Sequence, residues 1–293
     1  MVDVSVIWVN YHTSDLLKAS IGSVVRNTRR SYQLIVVDND SEPDLGNELQ
    51  QQYGAALQFV PLPENVGFGG ANNAGVQVAS GRYLFFLNPD TVLLNPAIDL
   101  LAEYMDAHPE TAVAGGNLFD AALSPAHSYM RLFPSLRLSL IAMAGNRVER
   151  WTLGRSAQFN YTDNVVDVAY ITGADLMVRA SVFEQVGGFD SRFFMYYEET
   201  DLCKRIALAG HAVQNVPDAR IQHFEGVTFS ASETRESMKA VSRKYYYRKH
   251  LSGVERNFAI FVEWLNAFLR VIAFCVLRKR EKYEYWKIRL KYA

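Results

Sequence analysis

The chain has 293 residues, 49% of them hydrophobic, enough to bury a sizeable core in one large domain with or without an appendage. Its 30 Lys and Arg against 31 Asp and Glu leave a formal charge of -1, so no global field draws it to nucleic acid and none is expected as a partner. Two cysteines, Cys203 and Cys275, exclude a disulfide framework or a multi-cysteine metal site, suit a reducing compartment, and are expected in apolar packing.

The first residues lack a basic secretory leader and enter an apolar run, which predicts a strand over 4–9 buried on both faces. Asn10, Tyr11 and His12 form a loop, a helix follows from Ser14, and residues 32–37 read as a second buried strand, completing a βαβ unit. The alternation continues with a helix over 45–53, a strand over 57–62, a helix over 70–79 and a strand over 83–87. That pattern predicts a doubly wound α/β sheet, with ligands beyond the carboxyl ends of its strands. A helix over 97–107 and a short strand over 112–115 precede a stretch, 117–163, that periodicity leaves open. Strands over 165–171 and 175–178, helices over 181–186 and 200–209, and a last strand over 211–216 complete the expected core, which ends near residue 230.

The remaining residues, 231–293, form a helical, basic and apolar extension. The apolar segment 258–277 is nearly long enough to span a bilayer. Glu263, Asn266 and Arg270 would, however, gather in one polar stripe, which argues against a simple span. With Arg278, Lys279, Arg280 and a basic aromatic tail beside it, the segment reads either as an interfacial helix on an anionic membrane surface or as a helix packed on the core or a dimer partner.

Four segments carry candidate chemistry. Asp38, in a run from Val36 to Ser41, sits at a strand end, where it either meets a base or ribose alongside Asn10 and Tyr11 or caps the following turn. Residues 64–73 place Gly67, Gly69 and Gly70 before a helix, suiting close approach of a diphosphate to free N–H groups, although loops use glycine without any ligand. Asp90, in Leu87-Asn88-Pro89-Asp90-Thr91, either holds a divalent ion or belongs to an Asn-Pro turn. Glu198, Glu199 and Asp201 follow an aromatic run; an acceptor hydroxyl needs a carboxylate to take its proton, and Glu199 is the preferred base. Glu198 and Asp201 orient the acceptor or cap a helix. His223, just past the last predicted strand, either completes the metal site with Asp90 or is structural.

In this order the segments resemble inverting family 2 glycosyltransferases of the GT-A fold, particularly bacterial rhamnosyltransferase-like members, over about residues 3 to 250. The most specific stretches are Asn65 to Asn72, Leu87 to Thr91, and Gly188-Phe189-Asp190 through Asp201. The resemblance implies a GT-A catalytic domain over 1–230, with a nucleotide-sugar half to about 115 and an acceptor half beyond. It implies donor contacts at Val9, Asn10, Tyr11, Asp38, Asn65, Gly67, Phe68, Gly69, Asn72, Asn88 and Asp90. It further implies Mg²⁺ or Mn²⁺ at Asp90, a base at Glu199, and transfer from dTDP-L-rhamnose or a UDP-sugar to a lipid-linked saccharide acceptor at the inner face of the cytoplasmic membrane. Two positions depart from the family pattern: Asn88 replaces the leading acid of Asp-x-Asp, and Glu199 stands where many relatives carry Asp. A sugar-phosphate nucleotidyltransferase is the rival enzyme, but the turn after the first strand lacks a glycine- and arginine-rich loop; an inactive scaffold of the same fold is the rival outside catalysis.

Overall fold

The computed structural model describes residues 2–39, 44–145, 152, 154, 156–224 and 232–293. Asp40, Ser41, Glu225 and Gly226, which belonged to two of the candidate segments, lie outside the described residues.

Strand β1 (Val4–Asn10) is buried along its whole length, and β2 (Tyr32–Asn39) along its last six residues. Such strands need cover on both faces, and helices supply it. Helix α1 (Ser14–Asn27) turns Leu17, Ile21 and Val24 inward at three- and four-residue steps. Helix α2 (Leu45–Tyr53) leads into β3 (Leu57–Leu62), and α3 (Gly67–Val76) into β4 (Tyr83–Leu87). Strand β5 (Thr91–Leu93), α4 (Ala97–Ala107), β6 (Thr111–Phe119), β7 (Tyr129–Met130) and α5 (Leu136–Ala144) follow, then β8 (Val166–Asp167), β9 (Tyr170–Ile171), β10 (Asp175–Arg179) and α6 (Ala180–Gln185). Helix α7 (Glu198–Leu208) and β11 (Ala212–His223) close the core.

The main sheet runs β3-β2-β1-β4-β10-β6-β11-β5, with β8 on β11, while β7 and β9 pair separately. β1, β2, β3 and β4 are parallel; β10 enters antiparallel to both β4 and β6. The result is the expected mixed α/β sheet flanked by helices, and its first half follows the sequence pattern closely. The helix expected over 70–79 is α3, three residues earlier, and the strand expected over 165–171 breaks into β8 and β9 in separate sheets. Three further elements differ. β6 extends to Phe119 rather than ending at Gly115, because Gly115 and Gly116 serve close packing inside a strand: a Cβ on Gly116 would run into the Ala219 carbonyl. β11 continues to His223 through a register shift between Asn215 and Arg220, an irregularity that hides a strand from a pattern reading. α7 begins at Glu198 rather than Thr200, so both glutamates lie in its first turn. Cys203 is buried as expected, but Cys275 is exposed.

Beyond the core, α8 (Ser232–His250), α9 (Gly253–Val276) and α10 (Arg280–Tyr292) pack on one another and on α5. By length and composition α9 could cross a membrane. Its polar stripe nevertheless faces protein: Glu263 pairs with Arg243 at 2.8 Å and accepts from Ser139, while Arg270 donates to Asn266 and to the Ala142 carbonyl. Val254, Phe258, Phe261, Phe268, Ile272 and Val276 occupy the opposite side and are exposed. Both sequence readings of this helix therefore hold in part: one face packs on the chain, the other is apolar and open.

The extension is fastened to the core by charge. Asp201, fully buried, meets Arg205 Nε at 2.8 Å, Lys249 Nζ at 2.7 Å and His250 Nε2 at 2.7 Å, and Lys249 also reaches Asp190 at 2.7 Å. Burial alone would push the Asp201 carboxyl up, but bonds from His250 and Lys249 and the charge of Arg205 outweigh it and hold it below its ordinary range. A depressed carboxyl contributes stability above its unfolded pKa and loses it as pH falls. Asp201→Asn is therefore expected to lower unfolding free energy near pH 7 by about 3 kcal/mol in urea titrations. The gap from wild type should shrink below about pH 4; a gap that stays constant down to acid pH would contradict this role.

Candidate active site

Hydrogen bonding of the β4–β5 turn and the pairing of β5 with β11 bring two distant residues together. The Asn88 carbonyl accepts from the Thr91 backbone and hydroxyl, and the Asn88 N–H donates to Ala174. Antiparallel pairing sets Thr91 opposite His223, and the Phe224 N–H donates to the Asp90 carbonyl. As a result Asp90 Oδ1 lies 3.2 Å from His223 Nε2, both residues being buried. The Asn88 amide stands 3.5 Å from the same nitrogen.

The facing wall is the segment from Phe189 to Glu199, which docks on the start of α3. Asn73 clamps Phe189 from both sides, donating to its carbonyl at 2.8 Å and accepting from its N–H at 3.0 Å. Phe189 then packs edge-to-face with Phe68, Phe86 and Phe183. Phe68 N–H donates to the Phe194 carbonyl at 2.9 Å, and Gly67, at φ 79°, sits where any Cβ would strike that carbonyl. The chain next passes through two left-handed residues, Tyr196 (φ 68°) and Tyr197 (φ 72°), before α7 starts. Non-glycine residues in that region cost on the order of 1–3 kcal/mol each and persist only where packing holds them. Here Ser242 of α8 donates to the Met195 carbonyl at 2.7 Å, and Tyr197 stacks obliquely on Tyr246.

These walls enclose a cavity of about 430 Å³, in the range of small-molecule sites. Phe68, Asn88, Asp90, Glu198, Glu199 and His223 all line it. A second cavity of about 110 Å³ shares Phe68, Asn88, Asp90 and Met195 and adds Val9, Tyr11, Asn39, Asn65 and Gly67. Ten of the residues expected from sequence thus converge, although Asp90 and Glu199 are far apart in the chain.

Five expected residues line neither cavity, each for a visible reason. Asn10 donates to Asp38 at 2.9 Å and accepts from Thr13, so both strand-end residues organise the loop after β1. Gly69 lies inside α3, where a Cβ would meet Phe189 and Glu198; it allows helix and loop to touch. Asn72 donates to the Phe68 carbonyl one turn back. Asp201 is held by Arg205, Lys249 and His250, which ties α7 to α8. The N–H groups at the start of α3 are also engaged, Val66 with Asn39, Gly67 with Asn65 and Phe68 with Phe194. The glycine segment therefore shapes the wall rather than offering free donors.

The two glutamates differ in setting. Glu198 is buried with Oε2 lacking a hydrogen-bond partner; burial, then the charge of Glu199, drives its carboxyl well above the ordinary value. Glu199 is half-buried and accepts from the Thr200 hydroxyl at 3.2 Å; burial raises it too, against backbone and hydroxyl bonds that lower it. Glu199 is thus the one that ionises first, facing a still neutral Glu198. Among the described residues no group of three His, Cys, Asp or Glu side chains is arranged for a metal, leaving Asp90 and His223 as a two-residue donor set.

Sequence reasoning did not single out Asn39, Arg235 or Lys239 as site residues. Asn39 donates to Asn65 at 2.8 Å and lies at the end of β2, where its neighbour Asp38 drew attention. Arg235 and Lys239 reach the larger cavity from α8, and their only sequence signal is an i, i+4 basic pair.

Residues 5–154 match the family described as Glycosyl transferase family 2, half of the chain, and the chain belongs to that family. Rhamnosyltransferase WbbL of Escherichia coli (strain K12) is 29% identical over 267 residues, covering 87% of this chain and 96% of that protein. The N-acetylglucosaminyl-diphospho-decaprenol L-rhamnosyltransferase of Mycobacterium tuberculosis is 28% identical over 240 residues, 77% of each chain. In fold, the chain superposes on the mannosyltransferase PcManGT from Pyrobaculum calidifontis, solved with GDP-Man and Mn²⁺, with a TM-score of 0.62 and 14% identity over 99% of this chain and 84% of that one. The chain is a glycosyltransferase by family and a GT-A protein by fold, not a nucleotidyltransferase.

The glutamate pair predicts a pH signature. With Glu199 as the base, turnover should rise with pH through an ascending limb lying above the ordinary Glu value of about 4.3, since burial holds its proton. Glu198→Gln removes the more deeply buried carboxyl and leaves Glu199 in place, so the limb should remain and the melting temperature should not fall. Disappearance of the limb in that variant would reverse the two assignments.

Proposed function

We propose that this chain is an inverting, divalent-metal-dependent transferase that moves L-rhamnose from dTDP-rhamnose, or failing that a hexose from a UDP-sugar, onto a hydroxyl of a lipid-linked polysaccharide precursor. The observation that carries the reading is that Asp90 and Glu199 line one cavity of sugar-holding size. The smaller cavity, with Val9, Tyr11, Asn39 and Asn65, would take the nucleotide. Glu199, its carboxyl partly shielded from water, accepts the acceptor hydroxyl's proton as the new bond forms on the face opposite the leaving diphosphate, which inverts the anomeric centre. Glu198 stays neutral beside it and limits the negative charge where the donor binds.

The metal site fits its residues. Two ligands in adjacent octahedral positions at about 2.1 Å lie about 3.0 Å apart, close to the Asp90–His223 separation of 3.2 Å. A carboxylate with an imidazole suits Mn²⁺ as well as Mg²⁺ and leaves open positions for phosphate oxygens. A bound ion would neutralise charge on the departing diphosphate. The solved mannosyltransferase with Mn²⁺ supports this by analogy of fold.

Rhamnose is carried over from the two rhamnosyltransferase relatives, and a lipid diphosphate acceptor from the mycobacterial one. A location on the inner face of the cytoplasmic membrane is supported by the open apolar side of α9 and by exposed Arg278, Lys279, Arg280 and Lys282 next to it.

Two experiments test these readings. In thermal-shift assays with Mg²⁺ or Mn²⁺, dTDP-rhamnose should stabilise the protein more than UDP-sugars do. Glu199→Gln should keep that shift while transfer falls by about 10²–10⁴-fold, whereas unchanged turnover would discard Glu199 as the base. Flotation with phosphatidylglycerol vesicles should carry the wild type but not Phe258→Glu/Phe261→Glu; equal flotation of both would dismiss this face as the lipid contact.

A further inference from the structure

The larger cavity holds two basic side chains that the proposed chemistry does not use. Arg235 and Lys239 stand one turn apart on α8 and both line it, together with the acidic Asp90, Glu198 and Glu199. Neither lines the smaller cavity assigned to the nucleotide. The Arg235 side chain bonds Tyr196, one of the two left-handed residues, which orients the guanidinium. Its Nε is buried and makes no hydrogen bond among the described residues. The Lys239 ammonium lies 5.2 Å from the centre of the Tyr196 ring and 3.8 Å from Glu236.

Beyond its bond to Tyr196, a guanidinium whose buried Nε has no partner gains from a ligand that supplies one. A sugar ring is neutral and needs no such pair. A diphosphate does: its two phosphate groups match two cations held one helical turn apart, and the planar guanidinium binds phosphate oxygens through paired N–H groups. We propose that Arg235 and Lys239 form an anion site in the catalytic cavity that takes a diphosphate. Two sources share this chemistry: the diphosphate linking an acceptor sugar to its lipid carrier, and the diphosphate of the nucleotide donor. The inference rests on the transferase reading, and it adds a binding role to the carboxyl-terminal helices.

Calorimetric titration of the full chain tests it. The protein is saturated with dTDP, with Mg²⁺ in excess, and titrated with inorganic pyrophosphate; dTDP is titrated separately. For the carrier source, pyrophosphate binds the dTDP-loaded wild type, Arg235→Gln/Lys239→Gln weakens that binding by about tenfold or more, and dTDP affinity moves by less than about twofold. For the donor source, pyrophosphate competes with dTDP and the double variant loses dTDP affinity by the same factor. Arg235→Lys, which keeps charge but not the paired donors, should fall between. Unchanged affinity for both probes in a double variant of native melting temperature overturns the site. If the wild type binds no dTDP, the transferase reading fails by itself, and direct pyrophosphate titration of wild type against double variant still decides the role of the pair.

Discussion

The buried carboxylate of Asp201 meets Arg205 on its own helix and Lys249 and His250 on α8, and the rest of the site depends on that junction. In the two residues before α7, Tyr196 and Tyr197, the backbone takes a conformation that costs free energy, and Glu198 and Glu199 follow directly. α8 keeps the turn in place through Ser242, Tyr246 and the ion cluster. The helices after the core are therefore part of the wall that presents the two glutamates. The Asp201 junction and the cavity wall thus share α8, which carries Lys249 and His250 as well as Ser242 and Tyr246.

The first half of the fold was legible because its strands are apolar throughout and its helices amphipathic, so each segment's period matches its place in the sheet. That Asp90 and Glu199 share a cavity was foreshadowed by their settings, Asp90 just after an apolar strand and Glu199 just after an aromatic run. What the sequence hid has physical causes. A glycine pair in β6 looked like a strand end although it permits close packing with Ala219 and Ile171. The irregular register of β11 breaks alternation. The glycines at residues 67–70 looked like a phosphate cradle, yet the Gly67 N–H is taken by Asn65 and the Phe68 N–H docks Phe194 of the facing segment. Asp201 could not be told from Glu198 and Glu199 because two of its three partners, Lys249 and His250, lie about fifty positions away. Arg235 and Lys239 lacked any local pattern that separates them from a solvated helix face.

α9 inverts the usual arrangement of a surface helix: its charged side chains face protein and its aromatic ones face outward. Glu263 and Arg270 each have protein partners, so the helix has no need to turn them to water, and its outer side is left to an apolar surface. An acceptor carried on a lipid would bring its diphosphate to the enzyme from that surface. The larger cavity, with Glu199 and the basic pair of α8, and the smaller one share Phe68, Asn88, Asp90 and Met195. On the proposed reading, acceptor and donor would meet over that shared floor.

The central claim is that Asp90 with His223 and Glu199 face a single reacting carbon across this cavity. Its most direct test is anomalous diffraction from crystals grown with Mn²⁺ and dTDP. The account predicts a manganese peak bonded to Asp90 and His223, with the Glu199 carboxylate turned into the same cavity. A peak at other residues, or a Glu199 side chain pointing away from the nucleotide's diphosphate, would contradict it.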